Sequence, residues 1–377
     1  MRRYLDHAAS APLRPVAARV WAEVSGLVGN PSSTHASGRR ARARLEDARE
    51  ELASAVGAHP TEVMFTSGGT EADNLAVLGL AGHAGADRPR VAASAVEHPA
   101  VGEAVTSLGG RRAWWLGVDG DGLVTPSALA GLDASVGVVS VQAVNNETGT
   151  IQPLDAVVAA GRRVGAAVHS DAVQALGHVA FDFGASGLDA ASLSGHKIGA
   201  PVGVGALLVR RGVRVAPLSH GGGQEARVRS GTVPVALAAG FAAAASEAVA
   251  ELGSEVSRLG DVRARLVAGL ERLDGVRVNG GARVSPAICH VSVDGCRADD
   301  LLLLLDAAGL DCATGSACTA GVHRPSEVLL AMGRSEAEAS GGLRFSFGPA
   351  TTGDDVAALL AALGEAIPRA RAARSNS

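Results

Sequence analysis

Lys197 is the only lysine in a chain of 377 residues whose other basic positions are all arginine. The two side chains serve about equally well as surface charge, but only lysine can lose its proton and act as an amine nucleophile. A single lysine kept among so many arginines therefore points to amine chemistry, above all a Schiff base with a carbonyl compound. Its neighbours, Ser194-Gly195-His196 and Ile198-Gly199, do not have the pattern of a solvated helix face. An acid precedes it: Asp171 ends a β-branched run, with Gln174 three residues on. A carboxylate there can cap the next segment, or it can pair with a buried cation such as a protonated pyridine nitrogen.

Other residues carry chemistry of their own. Ser67-Gly68-Gly69-Thr70-Glu71 opens a helix after a strand. Glycines let backbone approach an anion, and free N–H groups at a helix start favour phosphate. The same residues read equally as simple capping, with Thr70 as N-cap and Asp73 at N3. Glu97-His98-Pro99 and Asn145-Asn146-Glu147-Thr148-Gly149 sit where strands give way to loops. His220-Gly221-Gly222-Gly223-Gln224 and Arg229-Ser230-Gly231-Thr232 form a polar, glycine-rich segment suited to close approach by an anion or a second subunit. Cys318 lies in Gly315-Ser316-Ala317-Cys318-Thr319-Ala320-Gly321, small residues without hydrophobic periodicity. A cysteine in such a loop is more often reactive than one in an apolar element such as Cys289. Cys312, six residues before Cys318, leaves a redox pair as a rival reading. Arg344 stands alone between Leu343 and Phe345, where burial requires an anion, either an internal carboxylate or a substrate carboxylate held bidentately.

These groups need elements to hold them. From about residue 60 to 210, short β-branched runs alternate with alanine-rich helical stretches, the mark of an α/β domain with a mostly parallel sheet flanked by helices. Strands are predicted at 62–66, 90–93, 136–141, 166–170, 190–194 and 205–209, and helices at 70–80, 101–108 and 154–163. Asp171 and Lys197 then follow adjacent parallel strands, at the carboxyl ends where open α/β sheets bind ligands. Arg39 to Arg44, alternating with Ala, reads as a helix face. A helical region over 235–273 leads into a smaller α+β domain, with strands near 276, 288–293 and 343–347 and helices at 299–308 and 354–366. A chain this long is expected to divide into two domains.

Composition excludes several classes. Hydrophobic residues make up 47% and charged residues 19%, which describes a packed protein rather than a disordered one. The formal net charge of −4 gives no electrostatic reason for nucleic-acid binding. No uninterrupted apolar run reaches membrane-spanning length, and the basic start lacks the apolar stretch of a signal peptide. Four cysteines make no disulfide framework and lack the close pairs of a zinc site, so no metal centre is expected and a reducing cytoplasm is.

Together these motifs resemble the cysteine desulfurases of the class V aminotransferase group. The resemblance runs nearly end to end, through Tyr4-Leu5-Asp6, Gly29-Asn30-Pro31-Ser32-Ser33, Phe65 to Glu71, Asn145 to Gly149, Ser194 to Lys197, Arg229 to Thr232 and Gly315 to Thr319. It implies an aspartate-aminotransferase-like pyridoxal-phosphate fold, with a large domain over 12–250 and a small one built from 1–11 and 251–377. It implies pyridoxal 5'-phosphate held covalently by Lys197, with Asp171 beside the ring nitrogen and His98 stacked on the ring. Gln174 and Asn146 would contact its phenolic oxygen or the substrate. Phosphate contacts would come from Thr70, Ser194, His196 and, across a homodimer, the Thr232 position of the second subunit, with Gly69 also at the cofactor. Arg344, with Asn30, would bind the carboxylate of L-cysteine. Cys318 would take the sulfur as a persulfide, releasing alanine, and pass it to a protein acceptor such as an iron–sulfur scaffold or a tRNA thiolation enzyme. His7-Ala8-Ala9-Ser10-Ala11-Pro12 and Gly69 depart from the family pattern, and the tail after the last helix is short. Rival readings are a selenocysteine lyase, an aminotransferase or β-lyase of the same fold, a non-catalytic scaffold, and a dehydrogenase, for which the spaced GxGxxG is missing.

Overall fold

The computed structural model describes residues 2–315 and 325–375. In chain order its strands are β1 (Arg3–Tyr4), β2 (Val63–Thr66), β3 (Arg90–Ser94), β4 (Ala113–Leu116), β5 (Val136–Ser140), β6 (Ala167–Asp171), β7 (Ala190–Ser194), β8 (Gly205–Val209), β9 (Val276–Asn279), β10 (Ile288–Val293), β11 (Leu310–Asp311) and β12 (Gly342–Ser346). Seven form one sheet in the order β2-β8-β7-β6-β5-β3-β4. Only β8 runs antiparallel to its neighbours, so the other six point the same way. The mostly parallel sheet expected from the β-branched runs is present, and 190–194, 205–209 and 288–293 are strands over the residues predicted.

Parallel strands covered on both faces read as continuous apolar runs. Accordingly β5, β7 and β8 are buried at every residue. Successive side chains then serve opposite faces: Val139 and Leu208 join Phe65, Leu193 and Phe241 in one core, while Val138 and Leu207 join Leu75 and Val91 in another. A third core gathers Leu5 with Leu259, Leu266, Val291, Phe345 and Leu363 around the antiparallel sheet β12-β10-β9. The apolar stretch 235–270 is two consecutive helices, Val235–Ala250 and Leu252–Leu270, meeting at Glu251. The first is buried from Ala238 to Ala245 and packs on the helices Pro15–Ser25 and Ala36–Ala55.

Two features escape the sequence pattern. Strand β4, Ala-Trp-Trp-Leu, lacks alternation and occupies the sheet edge, where Trp115 stays exposed and Trp114 lies under the Arg90 guanidinium. The predicted Thr70 cap is corrected: the helix is Gly69–His83, its N-cap is Gly68, and no side chain caps it. Glycine at 205 makes that start possible. A Cβ there would lie 2.7 Å from the Gly68 backbone, so a larger residue would push the helix away from β8.

The glycine-rich segment is fastened to the sheet by one buried carboxylate. Glu225 accepts Arg49 Nη1 and Nη2 at 2.8 Å each, and the Phe65 N–H at 2.9 Å. Replacing it by alanine would leave the Arg49 guanidinium with only the Val63 carbonyl and Glu46, and the Phe65 N–H without a partner. Glu225→Ala is expected to lose roughly 3–5 kcal/mol of unfolding free energy, measured by chemical denaturation.

Candidate functional site

Because six strands share a direction, their carboxyl ends open along one edge, and the loops leaving them converge there. The result is a cavity of about 450 Å³ lined by residues of five such loops, including Thr70, His98, Asn146, Asp171 and Lys197. The N-terminal segment and β12 close its far side with Asp6, Ala8, Ala9 and Arg344. Asp171 ends β6 and Lys197 follows β7, and the two strands pair in parallel with Asp171 opposite Ser192.

Lys197 reaches back to the N-terminal segment, its Nζ donating to Ala8 O at 2.7 Å and Ala9 O at 2.9 Å. Burial, aided by the Arg344 cation, lowers its pKa to about 8, while Asp171 and Asp6 oppose the fall. The amine is thus far easier to deprotonate than an ordinary lysine. Gln174 donates to Ala8 O at 2.8 Å, fixing the same turn. Asp171 accepts the Val173 N–H at 2.9 Å, and burial raises its pKa against the pull of His98 and Lys197. His98 caps the helix Pro99–Ser107 through Nδ1, and burial lowers its pKa. Burial likewise brings His196 down to about 4, leaving it neutral.

An anion cradle lies at one end. The helix Gly69–His83 begins there without a side-chain cap, and Ser194 Oγ is buried with no hydrogen-bond partner among the described residues. Gly69 faces both walls: a Cβ would stand 2.8 Å from Val173 Cγ2 and 3.4 Å from Ser194 Cβ. Glu71 braces the turn by accepting the Ser67 N–H at 2.6 Å and Arg229 Nε at 2.8 Å.

Arg344 lines the cavity from β12. It donates to Asp6 Oδ1 and to Asn146 O, both at 2.8 Å, while its buried Nε has no partner among the described residues. Both the internal carboxylate and an unused donor are therefore present. Nearby, the buried Glu147 accepts Ser326 Oγ at 2.6 Å, and burial lifts its pKa to about 6 despite that bond and the Arg344 charge.

The structure thus brings together Gly69, Thr70, His98, Asn146, Asp171, Gln174, Ser194, His196, Lys197 and Arg344. It does not bring in Asn30 or Thr232, which line a separate groove with Gly222 to Glu225. Cys318, with Ser316, Ala317 and Thr319, lies outside the described residues. Cys289 is buried and its thiol is pushed up to about 11 by desolvation; Cys312 rises to about 12 for the same reason, so both stay protonated. Sequence reasoning gave no cavity role to Asp6, Asp73, Gln142 or Glu147. Asp73 carried a readable signal, a charge among Ala72, Leu75, Ala76 and Val77, the same kind that exposed Arg344.

Residues 3–359 match the family described as Aminotransferase class-V. The chain is 48% identical to the IscS-like cysteine desulfurase of Mycobacterium tuberculosis, over 98% of this chain and 97% of that protein. It is 37% identical to the cysteine desulfurase IscS of Dictyoglomus turgidum, over 94% and 91%. Among solved structures it is similar to a NifS-like protein, with a TM-score of 0.90 and 32% identity over 98% of this chain and all of that one. It is also similar to DndA from Streptomyces lividans, with a TM-score of 0.78 and 40% identity over 92% of this chain and 100% of that one.

A single lysine makes its ionisation directly readable. In cofactor-free protein, the rate of Lys197 labelling by an amine-selective reagent should rise about tenfold per pH unit and level off near pH 8 rather than above 10. Arg344→Gln, which removes the neighbouring cation, should move that midpoint upward. Peptide mapping separates Lys197 from the chain's α-amino group.

Proposed function

The chain belongs to the class-V aminotransferase family, in its cysteine desulfurase branch, and on that premise we propose that it converts L-cysteine to L-alanine with pyridoxal 5'-phosphate as cofactor. The observation that carries the reading is the cavity itself, where a desolvated lone amine, a buried carboxylate and an uncapped helix start meet. The orphaned Ser194 Oγ and the uncapped helix start, which Gly69 lets pack close to Val173 and Ser194, suit a phosphate, so the residues fit the cofactor. Thr70, Ser194 and His196 would hold the phosphate, Asp171 the ring nitrogen and Lys197 the carbonyl carbon. Once bound, the cofactor supplies the electron sink that loosens bonds at the substrate Cα.

The remaining work falls to this chain's side chains. Lys197, neutral above about pH 8, takes and returns the proton at the substrate Cα. His98 walls the cavity, and Gln174 keeps the Ala8 turn in place through its amide. Arg344 offers its unpaired Nε, and on exchanging Asp6 a second N–H, to the substrate carboxylate. Cys318, as a thiolate, attacks the substrate sulfur. The carbon–sulfur bond breaks, a sulfur–sulfur bond forms, and the thiol proton remains with the products. One cysteine and one enzyme thiol thereby become one alanine and one enzyme persulfide.

A homodimer belongs to the same reading. Thr232 and Asn30 line a groove outside the Lys197 cavity of their own chain, so they would serve such a cavity only in a second copy. The persulfide is passed to a protein acceptor, an iron–sulfur scaffold or a tRNA thiolation enzyme.

Incubation with L-cysteine should yield alanine together with protein-bound persulfide, read by mass spectrometry. Cys318→Ala should lose the persulfide; sulfide release from that variant at the wild-type rate would end the thiol mechanism. Lys197→Arg keeps the charge but should lose the cofactor's visible absorbance, because a guanidinium does not become a nucleophile at neutral pH.

A further inference from the structure

One buried acid in the cavity has no place in that chemistry. Asp73 lies one turn into the helix Gly69–His83, only 1% exposed, and its Oδ1 has no hydrogen-bond partner among the described residues. One carboxylate oxygen of Asp73, one of Asp171 and one ring nitrogen of His98 lie within 4.8 Å of one another. The groups facing Asp73 are Asp171 and His169 from β6, Glu97 and His98 from the loop after β3, and the Ser192 hydroxyl from β7.

None of these is a fixed positive charge. His169 Nε2 stands 3.8 Å from Asp73 Oδ1, but its two ring nitrogens are engaged by Ser140 Oγ and Ser192 Oγ at 2.9 Å each. Burial takes its pKa down to about 3, so it is neutral. His98 is likewise pushed down by burial. Glu97, whose Oε1 accepts Ser94 Oγ and the Gln142 N–H, is raised by burial to about 8 and holds its own proton. Lys197 and His98 favour the charged form of Asp171. Asp73 instead feels burial first and then the Asp171 and Glu97 carboxyls, all raising its pKa, with the Ser192 hydroxyl opposing them. Two carboxyls this close in a dry site do not both ionise.

We infer that Asp73 and Asp171 act as a carboxyl pair sharing one proton, with Asp73 the positioning residue that keeps a single negative charge on the Asp171 side. The pair follows from the protein's own geometry; what its charge serves, a cationic ring nitrogen, rests on the pyridoxal-phosphate reading. A second carboxylate at Asp73 would overcharge that spot and compete with Asp171 for any cation entering the cavity.

Infrared spectroscopy of the holoenzyme, prepared with and without carboxyl-13C aspartate, tests it. At neutral pH the labelled protein should show a protonated-carboxyl stretch displaced by the label, and the band should vanish at alkaline pH. The aspartate label separates it from Glu97. Asp73→Asn, which keeps the size and can still meet Ser192, should lose that band and retain the cofactor's visible absorbance at neutral pH. Absence of the aspartyl band from labelled wild type overturns the inference, as does its persistence in Asp73→Asn. The wild-type measurement stands by itself should the variant not fold. Wild type without visible absorbance would fail the cofactor reading and leave the aspartyl band to be judged separately.

Discussion

The parallel pairing of β6 with β7 is the contact on which the site depends. Asp171 lies opposite Ser192, so an acid ending one strand and an amine following the next emerge side by side at the same edge. A one-residue slip would turn every side chain of β6 to the other face, taking Asp171 out of the cavity and His169 out of its hydroxyl network. That register is held by burial on both faces, with Val168 and Leu193 in the core on one side and Ala190 in the core on the other.

Burial of its lining groups keeps charge scarce in the cavity. Lys197 loses basicity, Asp171 and Asp73 resist ionisation, and His98 and His196 become harder to protonate, in every case with burial as the largest cause. What ionisation survives is arranged in opposites: Arg344 against Asp6 at one end, and Lys197 near Asp171 in the middle. The third region, at Gly69 and Ser194, offers backbone N–H groups and a hydroxyl, with the Glu71 charge on its turn already paired to Arg229. An anion placed there meets the positive end of a helix dipole.

Much of this was legible in the chain. The solitary lysine, the charge of Arg344 inside an apolar strand and the strand-terminal Asp171 each break a local pattern, and such breaks stand out because apolar runs are otherwise so regular. Residues whose significance lies in who faces them were not legible. Asp73 stands out in sequence as a charge in an apolar helix, but its role depends on β6 and the loop after β3 being packed against it. Ala8 and Ala9 give no signal at all, since they act through backbone carbonyls that hold the Lys197 amine. The edge strand β4 was missed because two adjacent tryptophans show no alternation.

Sequence by itself therefore determined the alternating α/β architecture, the chemistry available and the order of the reactive groups along the chain. Those follow from local rules: apolar periodicity, glycine at turns, and the one side chain able to become a neutral amine. The tertiary structure decided which groups share a dry space and in what state of charge. It lowered Lys197, raised Asp73 and set Asn30 and Thr232 in a groove apart from the cavity. Desolvation and through-space charge depend on neighbours distant in sequence, and only folding brings those neighbours within a few ångströms.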